Sequence, residues 1–167
     1  HSEASAHLAS MHSAIQALHA SDAAFLRENY RTAPHFDHIY GELERLYSLP
    51  CSLLCEFTLA SIDLLQELLG VSIPRTLSSS LKPKGSSVEL VVELLRKVEA
   101  THYLSGQGAR GYHRQTPFDQ AGIEVVWQDF KHPVYPQLHG DFVPYLSSID
   151  LLFNCGIERS REILRSF

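Results

Sequence analysis

Tyr103-Leu104-Ser105-Gly106-Gln107-Gly108-Ala109-Arg110-Gly111-Tyr112, followed after a short interval by Ile123-Glu124-Val125-Val126-Trp127, is the passage on which the fold turns. Each half contains a brief aromatic or β-branched run suited to a strand. Between them lie a glycine loop and a helix start at Thr116-Pro117 that Gly122 ends. Upstream, Ser86 and Glu89 stand at capping-box spacing before Val88, Val91, Val92, Leu95 and Val98, which predicts a helix with one apolar face. Val71 to Leu77 has the length of a strand, and Pro74 restricts it to an edge. Strand, helix, strand, helix, strand predicts a small parallel sheet over about residues 71–130. Ile123 to Phe130 reads as its buried member, because the run is nearly continuous in apolar residues.

The first 70 residues read differently. Leu8, Met11, Ile15 and Leu18 recur at helical spacing over 3–20, and Ser21-Asp22 signals the cap of a second helix that Pro34 halts. Phe36, Ile39, Tyr40, Leu43, Leu46 and Tyr47 trace a third, with Pro50 beyond its end. A fourth runs from about Ser52 to Leu69, turning Leu54, Phe57, Leu65, Leu68 and Leu69 inward and closing at Gly70. After the sheet, Ser147 with Asp150 as its reciprocal partner caps a helix ending at Gly156, and an amphipathic helix follows over 158–167. The expectation is an α/β chain: a bundle-like helical region over about 1–70, packed on a small parallel β-α-β-α-β sheet over about 71–130, with C-terminal helices.

With 167 residues, 44% hydrophobic and 20% charged, the chain suits a single domain over 1–167 with a proper core. Its net charge of −5 and its scattered 14 Lys and Arg offer no footprint for a nucleic-acid backbone. No apolar run approaches the ~20 residues of a membrane span. Three cysteines, Cys51, Cys55 and Cys155, read as reduced thiols of a cytoplasmic protein. The first residue is His1, so the expectation is a processed chain or a piece of a longer one.

Candidate sites concentrate in the loops. Gly106 to Gly111 spells G-x-G-x-x-G after a strand, with Asp129 18 residues past the last glycine. That pattern can cradle a pyrophosphate, another phosphate or an acyl group, or can simply be a turn with positive φ angles. Against a dinucleotide site, Pro117 follows only after a further five residues and its helix is short. Lys84 and Ser86 bring a cation and free amides to a helix N-terminus, an anion site in physical terms. Ser105, Gly106, Gly108, Arg110, Tyr112 and Gln137 form the candidate substrate or phosphate set. Arg110 offers a fork for carboxylate or phosphate, and His132 a base near neutral pH, with Tyr135 beside it. His132, His139 and Asp141 could ligate a metal, although His-x6-His-x-Asp matches no recognised spacing. Asn154, one turn after Asp150, has no evident structural reason.

Tyr30-Arg31-Thr32-Ala33-Pro34-His35-Phe36, Tyr103-Leu104-Ser105-Gly106 and Leu146-Ser147-Ser148-Ile149-Asp150-Leu151-Leu152-Phe153-Asn154-Cys155-Gly156 together resemble the WbqC-like proteins, a bacterial family found among genes for O-antigen and related surface-glycan (lipopolysaccharide) biosynthesis. The resemblance covers about residues 30–156; the family's opening His-x-Pro-x-Phe-x-Pro segment has no counterpart here, which suggests a chain lacking its N-terminal part. It implies a transferase moving an acyl or aminoacyl group, glycine being one proposal, onto an activated sugar. In that reading Ser105 to Arg110 hold phosphate or carboxylate, and Arg110, His132 and Tyr135 are catalytic. The alternatives are a non-catalytic nucleotide or nucleotide-sugar binding module, and an interaction domain whose first amphipathic helix docks a partner. Partners under these readings are small molecules or nucleotide sugars, with self-association left open. The sequence specifies no cofactor.

Overall fold

The computed structural model describes residues 20–51 and 53–166. The described residues divide into two compact units, those up to 72 with those from 132 onward, and residues 73–131. The fold is mixed α/β, with one two-stranded parallel sheet among the described residues.

The first unit is helical. Residues 20–30 (α1) are helical throughout, so Ser21 and Asp22 are themselves helical and do not serve as a cap. The predicted stripe from Leu8 to Leu18 lies outside the described residues. Helix α2 spans Phe36–Tyr47 and α3 spans Leu54–Leu69. The end of α3 is a Schellman turn: Gly70 takes φ 66°, its N–H donates to Glu67, and Val71 N–H donates to Gln66. Arg161 reinforces that end from across the unit, donating to the carbonyls of Leu68 and Glu67 at 3.0 Å each. Leu54, expected inside, is 73% exposed, because the first turn of α3 projects beyond the core that Leu68 joins. The core gathers Ile39, Tyr40, Leu43, Leu152 and Phe153, with Tyr30 stacked on Phe153 at 4.5 Å.

The last helical segment, α7 (Ser148–Arg165), is two helices broken at Gly156, as the sequence predicts. Gly156 holds φ 72° and ψ 176°, a region open essentially to glycine alone. Its Cα hydrogen faces His35, whose ring would stand 2.7 Å from an added Cβ.

In the second unit, α4 (Ser78–Leu81) and α5 (Ser87–Lys97) precede β1 (His102–Ser105), a 3-10 turn (Gln107–Gly111), α6 (Thr116–Ala121) and β2 (Glu124–Trp127). The strands pair in parallel with His102 opposite Glu124 and Ser105 opposite Trp127. Tyr103, Val125, Phe118, Ile123 and Val92 close one face into a small core. The other face is open: Leu104 is 64% exposed and Val126 lies beside it, so β2 is not the doubly buried strand that its composition suggests. The third strand is also absent, since residues 71–77 take no strand pairing. The reason is local: the Val71 amide is consumed by the α3 cap and Pro74 has none to give. The Ser86–Glu89 capping box is not formed either. Ser86 makes no side-chain cap, and Glu89 turns to Arg114 at 2.7 Å.

Candidate functional site

Three polar residues are buried among those described: Ser105, Asp150 and Ser160. Their hydrogen bonds separate them. Ser160 Oγ donates to Gly156 O at 2.6 Å. The Asp150 carboxylate is saturated, accepting from Tyr30 Oη and Tyr135 Oη at 2.8 Å each, from Gln137 Nε2 at 3.0 Å and from Asn154 Nδ2 at 3.2 Å. Ser105, only 3% exposed, has no hydrogen-bond partner for its hydroxyl among the described residues. A buried hydroxyl without a partner costs about 1–3 kcal/mol, which makes the pocket beside it the candidate site of this unit.

Ser105 lies at the carboxyl end of β1, on the strand face it shares with Tyr103, and both line a pocket of about 280 Å³ inside the second unit. Phe118, Tyr112, His113 and the first residues of α5 complete the wall. Tyr103 and Phe118 stack there at 5.5 Å, only 4° from parallel, giving a flat apolar side. Ser87, also in the lining, opens α5 in the left-handed region, φ 55°, and the Ser86 side chain caps none of the helix amides. Lining groups carry no carboxylate and no permanent cation. The arrangement suits a small group with a carbonyl or carboxyl oxygen for Ser105 and an apolar body for the rings.

The glycine loop borders this pocket without forming a dinucleotide cradle. Gly106 has φ −73°, and neither Gly108 nor Gly111 takes a positive φ, so a turn demanding left-handed residues is not the reason for them. A Cβ at any of the three would meet nothing within 4 Å. The loop winds as a 3-10 turn instead of opening a long helix, and the pyrophosphate geometry is lost. Gln107 clamps it, donating to Gln128 O at 2.6 Å and accepting from Arg110 Nε. The Arg110 guanidinium lies over Trp127, 4.5 Å from the ring centroid, exposed and with its terminal nitrogens unengaged among the described residues. Lys84 is exposed, its amide tied to Glu93 Oε2.

His132, Tyr135 and Gln137 belong to the first unit. His132 Nδ1 lies 2.8 Å from Pro133 O, and its ring packs against Tyr135, Phe142 and Tyr145. Tyr135 and Gln137 are spent on Asp150, and Gln137 also exchanges hydrogen bonds with both main-chain groups of Val143. Asp150 is therefore not the reciprocal cap of Ser147; Ser147 Oγ accepts from Ile149 N instead, while the carboxylate turns inward. Sequence reasoning singled out Asn154 and missed the reason, which is that carboxylate. Burial and the hydrogen bond to Asp150 raise the Tyr30 phenol well above its usual range. Burial first, then Asp150, pushes Tyr135 up to about 12, with Gln137 opposing. Both groups are raised, so their contribution is complete below pH ~10 and is lost as pH rises toward about 12. We expect alkaline destabilisation to start near the lower bound, and Tyr135→Phe to be less stable than wild type at neutral pH with a shallower loss of stability between pH ~10 and about 12, as followed by circular dichroism.

Among the described residues no group of three His, Cys, Asp or Glu side chains is placed to hold a metal ion, His132, His139 and Asp141 included. His139 Nε2 faces Asn29 O at 3.2 Å and Asp141 is exposed. No described helix is long and apolar enough to cross a membrane.

An uncharacterised protein of Mycobacterium tuberculosis, Rv1507c, is 35% identical over 138 residues, which is 80% of this chain. The chain spans 58% of that relative's length. No solved structure matches it. The WbqC-like protein family matches residues 10–162, reaching beyond both ends of the phrases that first suggested it, and the chain belongs to that family.

Proposed function

We propose that the protein is a transferase of bacterial surface-polysaccharide (O-antigen) or related biosynthesis, carrying an acyl or aminoacyl group onto an activated sugar. The observation that carries this reading is the unpartnered Ser105 hydroxyl, held in an aromatic-walled pocket at the carboxyl end of a parallel strand. Loops leaving the carboxyl ends of parallel strands are where such sheets commonly bind ligands. A carbonyl or carboxyl oxygen against Ser105 restores the missing hydrogen bond, and the open guanidinium face of Arg110 suits the phosphate of an activated sugar or donor. Glycines 106 and 108 keep that approach free of side chains.

The test is thermal unfolding of the chain with acetyl-coenzyme A and UDP-N-acetylglucosamine as probes. A probe at a hundred times its Kd adds about 2.7 kcal/mol of stability. Ser105→Ala is expected to leave the fold as stable as before or up to about 1 kcal/mol more so, because it removes a buried unpaired hydroxyl, and to weaken probe binding at least tenfold. Ser105→Leu fills the pocket and abolishes binding. Binding by both variants with wild-type affinity would place the ligand elsewhere, and a response to neither probe would remove the transferase reading.

A further inference from the structure

The histidine in the wall of the Ser105 pocket has its proton position set by its neighbours. Gln115 Nε2 donates to Asp119 Oδ1 at 2.8 Å, and a carboxylate can only accept. The amide nitrogen of Gln115 is thereby committed to Asp119, and its carbonyl oxygen faces His113 Nε2 at 2.8 Å. A carbonyl oxygen also only accepts, so Nε2 carries the hydrogen and the neutral ring keeps its lone pair on Nδ1. Phe118 stacks on the ring at 5.2 Å, and Trp127 meets it at 5.0 Å and 80°, which fixes its plane. No described protein group bonds Nδ1. The sequence offered His132 as the base, whereas His113 is the histidine that shares a pocket with Ser105.

We propose that His113 is the general base of this pocket, with Gln115 and Asp119 as its positioning residues, acting on a hydroxyl or amine acceptor that attacks an acyl group whose carbonyl oxygen is seated against Ser105. The proposal rests on the pocket being the substrate site. The acceptor's oxygen or nitrogen bonds to the carbonyl carbon of an activated acyl donor, a thioester or aryl ester, while its proton passes to Nδ1. The donor's thiolate or aryloxide leaves with the bonding pair, and the imidazolium returns the proton to that leaving group or to water. The Ser105 hydroxyl donates to the carbonyl oxygen as it gains negative charge.

The experiment uses p-nitrophenyl acetate as donor and hydroxylamine as acceptor with the full chain. Wild type is expected to release nitrophenolate faster than buffer, with a rate that rises through neutral pH as one group deprotonates. His113→Phe keeps the stacked ring without a nitrogen and should lower that rate about 100-fold. Gln115→Leu, at an exposed position, should lower it less and shift the pH limb, and exposed His38→Gln should leave it unchanged. Nitrogen-15 spectra of neutral His113 should show hydrogen on Nε2. A His113→Phe rate within twofold of wild type, a wild-type rate no faster than buffer, or hydrogen on Nδ1 would each overturn the assignment. If Ser105→Leu loses the ligands while His113→Phe keeps the rate, the pocket stands and only the base is lost; if Ser105→Leu changes neither, the pocket fails as well.

Discussion

Asp150→Ala is expected to destabilise the chain by about 3–5 kcal/mol, read as a lower denaturation midpoint at an unchanged slope. The carboxylate is 5% exposed and joins three separated segments: α1 through Tyr30, the 132–147 loop through Tyr135 and Gln137, and α7 through Asn154. Truncation leaves two phenols facing a hole, each an unsatisfied donor in surroundings that water does not readily reach, and leaves the Gln137 and Asn154 amides with only the carbonyls of Val143 and residue 150 to donate to. Asp150→Asn keeps the volume but points one N–H at donors, so it should fall between wild type and Asp150→Ala. A loss under about 1 kcal/mol for Asp150→Ala would mean that the carboxylate organises nothing.

The second large effect lies two turns along the same helix. Gly156→Ala is expected to cost about 3 kcal/mol or more, since φ 72° with ψ 176° is barely accessible to alanine and its methyl would stand 2.7 Å from the His35 ring. The two causes are separable. His35→Ala in the same chain removes the clash and leaves the backbone strain, so a double-mutant cycle should return part of the loss and not all of it. Full recovery would make the strain negligible, and no recovery would make His35 irrelevant.

Helices were legible wherever an apolar face met a stop signal. Phe36–Tyr47 and the glycine endings at Gly70, Gly122 and Gly156 follow from spacing and from left-handed residues alone. What the sequence obscured is where local signals are spent on something distant. Val71 looked like the start of a strand, but its amide belongs to a helix cap. Glu89 sat at capping distance from Ser86, but a cation 25 residues away takes it. Asp150 read as a cap because capping needs only neighbours, while its four donors come from segments up to 120 residues apart, which no local pattern records. Ser105 and Tyr112 could be picked out beside the glycines; His113 was passed over, although the Gln115 and Asp119 pair four residues apart at a helix start was a usable signal. The Gly106–Gly111 motif misled in the opposite direction, since its letters match a cradle that its 3-10 winding does not build.

The most direct measurement of the central claim is an amide chemical-shift map of the nitrogen-15 labelled chain titrated with acetyl-coenzyme A and UDP-N-acetylglucosamine. The largest saturable shifts are expected at Ser105, Gly106, Tyr112 and His113, and they are expected to disappear in Ser105→Leu. Shifts confined to 20–72 and 132–166, or a map that Ser105→Leu leaves unchanged, would contradict it.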